Sequence, residues 1–164
     1  MTSVETRPRS ASPVTAPEGM HGIRVLVVSE DPYFLDEASI VLGYDGVRVV
    51  GCLGPAHTAC ELYVNGSCPL TMHSDVVLVD SPKSGEFRYR LEAVPAGKYA
   101  EDLQRRHVGA HVLLCGAPIG RSGPTGEVSV LEDRREALFI ITRFLRTVRA
   151  QQLEDSGATT GGGS

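Results

Sequence analysis

No apolar stretch in this 164-residue chain approaches the ~20 residues that a membrane-spanning helix needs. The first twenty residues, MTSVETRPRSASPVTAPEGM, hold two arginines and much Pro, Ser and Thr but lack the apolar centre of a secretory signal. Both absences point to a cytoplasmic protein with no membrane association. A surplus of basic charge is missing too: 16 Lys and Arg stand against 20 Asp and Glu, a net charge of −4. That balance argues against general nucleic-acid binding, which rests on neutralising phosphates with a basic face. The chain has no G-x-x-x-x-G-K-[ST] phosphate loop, so Gly116, Gly120, Gly123 and Gly126 read as a shortened connection. No nucleophile, base and oxyanion donors fall into a working arrangement, and no enzymatic activity is expected.

The cysteines are equally uninformative. Cys52, Cys60, Cys68 and Cys115 form no C-x-x-C pair. A zinc set of His57, Cys60, Cys68 and His73 can be drawn, but its spacings fit no usual zinc pattern. Reduced, structural thiols are the simpler expectation.

What the chain does contain is an alternation of strands and helices. Residues 1–21 and 153–164 (LEDSGATTGGGS) read as a disordered leader and a flexible tail around one domain spanning 22–152. IRVLVV (23–28), VRVVGC (47–52), SDVVLVD (74–80), AHVLLCGA (110–117) and EVSVLE (127–132) are five apolar, β-branched runs of strand length. After the first, Asp31 suits a helix cap, Pro32 a first helical turn and Gly43 a helix end. GPAHTACELYVNG predicts a short helix opened by Pro55 and closed by Asn65-Gly66, and KYAEDLQRRH another. The last helix is expected from 133 to about 152, with Ala137, Ile140, Ile141, Phe144, Leu145 and Val148 on its apolar face. SPKSGEFRYRLEAVPAG (81–97) reads as a long loop without a steady period, and PIGRSGPTG holds too much Gly and Pro for a helix. This order predicts a three-layer α/β/α domain on a parallel sheet, whose ligand sites lie beyond the carboxyl ends of the strands.

The acids of interest fall there. If the first and third strands are neighbours, Glu30, Asp31 and Asp80 converge, and three carboxylates together call for Mg²⁺ or a shifted pKa. RVLVVSEDPYFLDEASIVL together with DVVLVDSPKSG resembles the receiver domain of two-component response regulators, over roughly residues 23–150. The resemblance implies the flavodoxin-like fold, with five parallel strands in the order 2-1-3-4-5, and places the phospho-accepting aspartate at Asp80. It puts the receiver's acidic pair on Ser29 and Glu30, or on Glu30 and Asp31 if the register slips by one. Its switch Ser or Thr falls on Gly116, and its Lys falls on Glu132. The fourth helix of receivers is replaced by PIGRSGPTG.

These departures resemble the atypical or pseudo-receivers, which use the fold for phosphate-independent contacts. An acid at 132 would repel a phosphorylated Asp80 where a Lys would attract it, each worth about 4 kcal/mol at ~4 Å and an effective dielectric near 20. The expected function is therefore a stand-alone regulatory module whose output is a protein partner or self-association. The alternatives are a conventional single-domain response regulator phosphorylated on Asp80, or a small-molecule or nucleotide binder with residues 118–126 as its lid. Partner contacts are expected in the insert, at Phe87, Tyr89 and Leu91, or on the last helix, at Arg143, Arg146 and Arg149.

Overall fold

A computed structural model of the chain describes residues 22–57, 59–116 and 128–158. Five strands make one parallel sheet: β1 (Arg24–Val28), β2 (Arg48–Cys52), β3 (Val76–Asp80), β6 (His111–Cys115) and β7 (Ser129–Leu131). Their order is β2-β1-β3-β6-β7, which is the expected 2-1-3-4-5 arrangement once an additional hairpin is set aside. The two central strands are buried on both faces, as their unbroken apolar runs require. Alternate residues feed two cores. Val25 and Val27 face Phe34, Ala38 and Leu42 of α1 (Pro32–Tyr44) and Ile141 and Leu145 of α5 (Arg134–Ala158). Leu26 and Val28 face Tyr99 and Leu103 of α4 (Ala96–Arg106).

Helix α1 starts as expected: Asp31 caps it by accepting a hydrogen bond from the Tyr33 N–H, and Pro32 opens the first turn. Gly43 does not end it. The helix runs to Tyr44 and the chain turns at Gly46, whose φ of +81° suits a glycine. The helix expected from Pro55 is limited to α2 (Glu61–Asn65), closed by left-handed Gly66, and a further turn, α3 (Pro69–Met72), follows.

The largest correction concerns residues 81–97. Part of the expected loop is an antiparallel hairpin, β4 (Glu86–Tyr89) and β5 (Glu92–Pro95). Its two-residue turn, Arg90-Leu91, has neither Gly nor Asn, and Arg90 takes φ +56°, a region costly for a side chain with a Cβ. The hairpin folds back onto the domain. Phe87 is fully buried, against Tyr99 at 5.0 Å between ring centroids, and Tyr89 stacks on Tyr63 at 4.9 Å. Of the three contact candidates in the insert, Phe87 is a core residue, Tyr89 is half-buried and only Leu91 stands in solvent.

Two corrections concern α5. Its buried stripe is Ala137, Leu138, Ile141 and Leu145, with Phe144 packed partly against it; Ile140, expected inside, is exposed, and the side chain of Val148 lies outside the described set. The helix also runs six residues beyond the expected end, so 153–158 belong to it rather than to a tail. The expected leader 1–21, the PIGRSGPTG segment expected in place of a fourth helix with its expected lid at 118–126, and residues 159–164 lie outside the described residues. Among those that are described, no helix is long and apolar enough to cross a membrane.

Candidate functional site

The register of β1 against β3 pairs Val28 with Val79, so the next residues, Ser29 and Asp80, emerge side by side. Both are buried. The Ser29 hydroxyl donates to Asp80 Oδ2 at 2.6 Å, and Ser29 Oγ accepts from the Asp31 N–H at 3.1 Å. Asp80 is also the partner of Cys115 across β3 and β6, and the Cys115 thiol lies 3.8 Å from its Oδ1. Ser29 thus occupies the position facing Asp80, and Asp31 is the cap of α1.

The charge that answers Asp80 comes from a residue with no place in the sequence reading. Arg134, the first residue of α5, sets its Nε 3.6 Å from Asp80 Oδ2 and pairs through Nη2 with Asp31 Oδ2. Its guanidinium carbon lies 4.3 Å from the ring centroid of Phe34, on the first turn of α1. One planar cation therefore bridges two carboxylates and rests on an aromatic face, a geometry that Arg suits and Lys does not. Glu132 is exposed, and the cation stands two residues beyond it.

The electrostatics follow from this arrangement. Burial pushes the Asp80 carboxyl up from its ordinary value, while the Ser29 hydrogen bond and Arg134 hold it back. Asp31 is lowered, chiefly by its hydrogen bond to Arg134. Burial tends to lower the Arg134 guanidinium, but Asp31 and Asp80 outweigh it and the net shift is upward. The Cys115 thiol is fully enclosed, and burial pushes its pKa up.

Gly116, at the expected switch position, has φ +70°, and a Cβ built there would meet Asp80 Oδ1 at 3.5 Å. The left-handed backbone favours glycine, and glycine carries no hydroxyl to follow a change at Asp80. Glu30 completes the rim of a cleft of about 440 Å³ with Asp31, Asp80, Lys83 and Arg134. Mg²⁺, which the resemblance implies, does not fit these residues. It needs near-octahedral oxygen ligation, whereas Ser29 stands beside Asp80 and a guanidinium already occupies the space joining Asp80 to Asp31. Among the described residues no three His, Cys, Asp or Glu side chains are grouped to hold a metal ion, which also removes the zinc set. All four cysteines are free thiols.

Arg143, Arg146 and Arg149 are far from this cleft along α5, and Arg146 pairs with Asp45 at the far end of α1 at 3.3 Å. A cation in the first turn of a helix opposes the helix dipole, so EDRREAL marks Arg134 and Arg135 as unusual without saying which of them meets a carboxylate.

No protein-family model matches the chain, and no curated protein matches it in sequence. Solved structures do. The chain is similar to a CheY-like response regulator receiver domain from Methanospirillum hungatei JF-1, at 16% identity over 79% of this chain and 98% of that one, with a TM-score of 0.50. It is similar also to a response regulator receiver domain protein from Bacillus halodurans C-125, at 12% identity over 75% and 96% of the two chains, with a TM-score of 0.52. The likeness is one of fold: the chain has the receiver, flavodoxin-like architecture.

Proposed function

We propose that the chain is a regulatory module of the receiver fold that acts through contacts with another protein and has no phosphorylation cycle at Asp80. The bridge from Arg134 to Asp31 and Asp80 is the observation that carries this reading. A carboxylate already neutralised by a protein cation needs no Mg²⁺ to be stable, and Asp80 Oδ2 is committed to both Ser29 and Arg134, while Oδ1 lies against the Cys115 thiol. Attack on a phosphoryl donor requires an accessible carboxylate oxygen and a metal to hold the donor's charge, and the cation beside Asp80 is Arg134 instead. Gly116 offers no hydroxyl to couple such an event to the neighbouring loop. The output is therefore a constitutive surface, regulated through the availability of its partner.

The test is incubation with a small phosphodonor and Mg²⁺ followed by intact mass measurement. The unmodified mass is expected throughout. A stable phosphoryl adduct that disappears in Asp80→Asn would replace this reading with a conventional single-domain response regulator.

A further inference from the structure

Helices α1 and α5 lie side by side and run in the same direction, since Asp31 meets Arg134 at one end and Asp45 meets Arg146 at the other. Between these two bridges their outer faces form a groove of about 650 Å³. It is walled by side chains that a solvated face would not choose: Ile40 is 73% exposed, Tyr44 86%, Phe139 71% and Ile140 42%. Single exposed apolar residues are ordinary, but four around one groove make a patch. None of them is needed by either core, because α1 buries Phe34, Ala38 and Leu42 and α5 buries Ala137, Leu138, Ile141 and Leu145.

The charges beside the patch are sorted by helix. Helix α1 contains Asp36 and Glu37, both exposed, and no Lys or Arg. On the outer surface of α5, Arg135 and Arg143 are exposed beside one acid, Glu136, while Arg134 turns to the Asp80 cleft and Arg146 pairs with Asp45. The face is thus acidic along one side and basic along the other, with an apolar seam between.

We infer that this α1–α5 face pairs with a second copy of itself. A two-fold axis running along the groove lays α1 of one copy on α5 of the other, in parallel. Ile40 and Tyr44 then meet the partner copy's Phe139 and Ile140, and the acidic side of each copy meets the basic side of the other. A face bearing one sign of charge would repel its own copy; one divided in this way attracts it. Arg143, three residues after Ile140 on the exposed surface, is the cation placed to reach the acidic side. This pairing stands on observations separate from those at Asp80, so either proposal can fail alone.

The experiment is sedimentation velocity of the full chain over a concentration series, without phosphodonor. A reversible dimer is expected. Glu37→Arg or Arg143→Glu should each weaken it at least tenfold, Phe139→Ser should abolish it, and the double variant E37R/R143E should restore it. All these side chains are exposed, so thermal melts of the variants should match the wild type and exclude misfolding as the cause. A monomer at every concentration would overturn the inference, as would a dimer indifferent to Phe139→Ser and Arg143→Glu. A double variant that stays monomeric would reject the exchanged pairing. A heterologous protein that binds this face of a monomeric chain would reject the second copy as occupant.

Discussion

Arg134→Ala lowers the stability of the domain by about 2 kcal/mol at neutral pH, read as a fall in the denaturation midpoint. Removing one partner of a fully buried ion pair costs about 3–5 kcal/mol, because the other charge is left without compensation. Asp80 is buried but Arg134 is one-third exposed, and water reaching the vacated space reduces the loss. Relief of an unfavourable cation at the start of α5 reduces it further. Arg134→Lys should recover only part of the loss, since a single ammonium does not bridge two carboxylates and lie flat on Phe34.

The deficit depends on pH with a definite sign. Asp31 in the wild type has its pKa lowered below 3.8, so its contribution is present above that value and disappears as the pH falls through the lowered one. Asp80 is raised by burial, and without Arg134 it rises further. The variant's folded state then takes up a proton on Asp80 as the pH falls, and protonated Asp80 needs no cation. Both effects bring the wild type and Arg134→Ala together in acid. Urea melts at neutral pH and near pH 3 should show a large gap in the first and a small one in the second, the Asp80 part closing before the Asp31 part.

Phe87→Ala has a larger effect, a loss of about 3–5 kcal/mol, the usual cost of removing a buried aromatic ring. Its ring closes the core under the hairpin, against Tyr99 and against Gly54, where a built Cβ would meet it at 3.3 Å. Gly54, at φ +90°, leaves room for the ring and no more. A loss of that size is a substantial part of an ordinary domain's total of roughly 5–15 kcal/mol. Leu91→Ala, four residues on at the exposed hairpin tip, should change stability by less than about 0.5 kcal/mol. Thermal melts of the two variants therefore separate a hairpin that belongs to the core from one that merely displays side chains. Equal, small effects would mean that the insert is a detached strip.

That contrast also shows how far the sequence could be read. The parallel sheet was legible because IRVLVV and SDVVLVD are too apolar to be anything but central strands, and Pro32 and Gly66 mark helix boundaries by backbone chemistry. The hairpin was hidden for a physical reason. Phe87, Tyr89 and Val94 do alternate with exposed residues, but Arg90-Leu91 carries none of the residues that normally announce a two-residue turn. In α5, Leu138 and Ile140 are equally apolar, and only the angle at which the helix meets the sheet decides that Leu138 goes in.

The site was half legible. Asp80 and Ser29 follow from strand register, and Gly116 from the end of the fourth parallel strand. Arg134 follows from neither. It lies 103 residues from Asp31 in sequence, and no pattern encodes which of the neighbouring arginines, Arg134 or Arg135, turns inward. Reading Glu132 as a simple reversal of charge missed that a cation reaches Asp80 from the next turn of chain.

The central claim is that Arg134 is the resident cation of this cleft. Titration of the wild-type protein with Mg²⁺ in the millimolar range, followed by thermal melting and by calorimetry, tests it most directly. A metal that binds only the folded state raises its stability by RT ln(1 + [Mg²⁺]/Kd), so binding must appear as a saturable rise in Tm. The account expects no such rise and no binding heat. A saturable stabilisation by Mg²⁺ that vanishes in Asp80→Asn would contradict it.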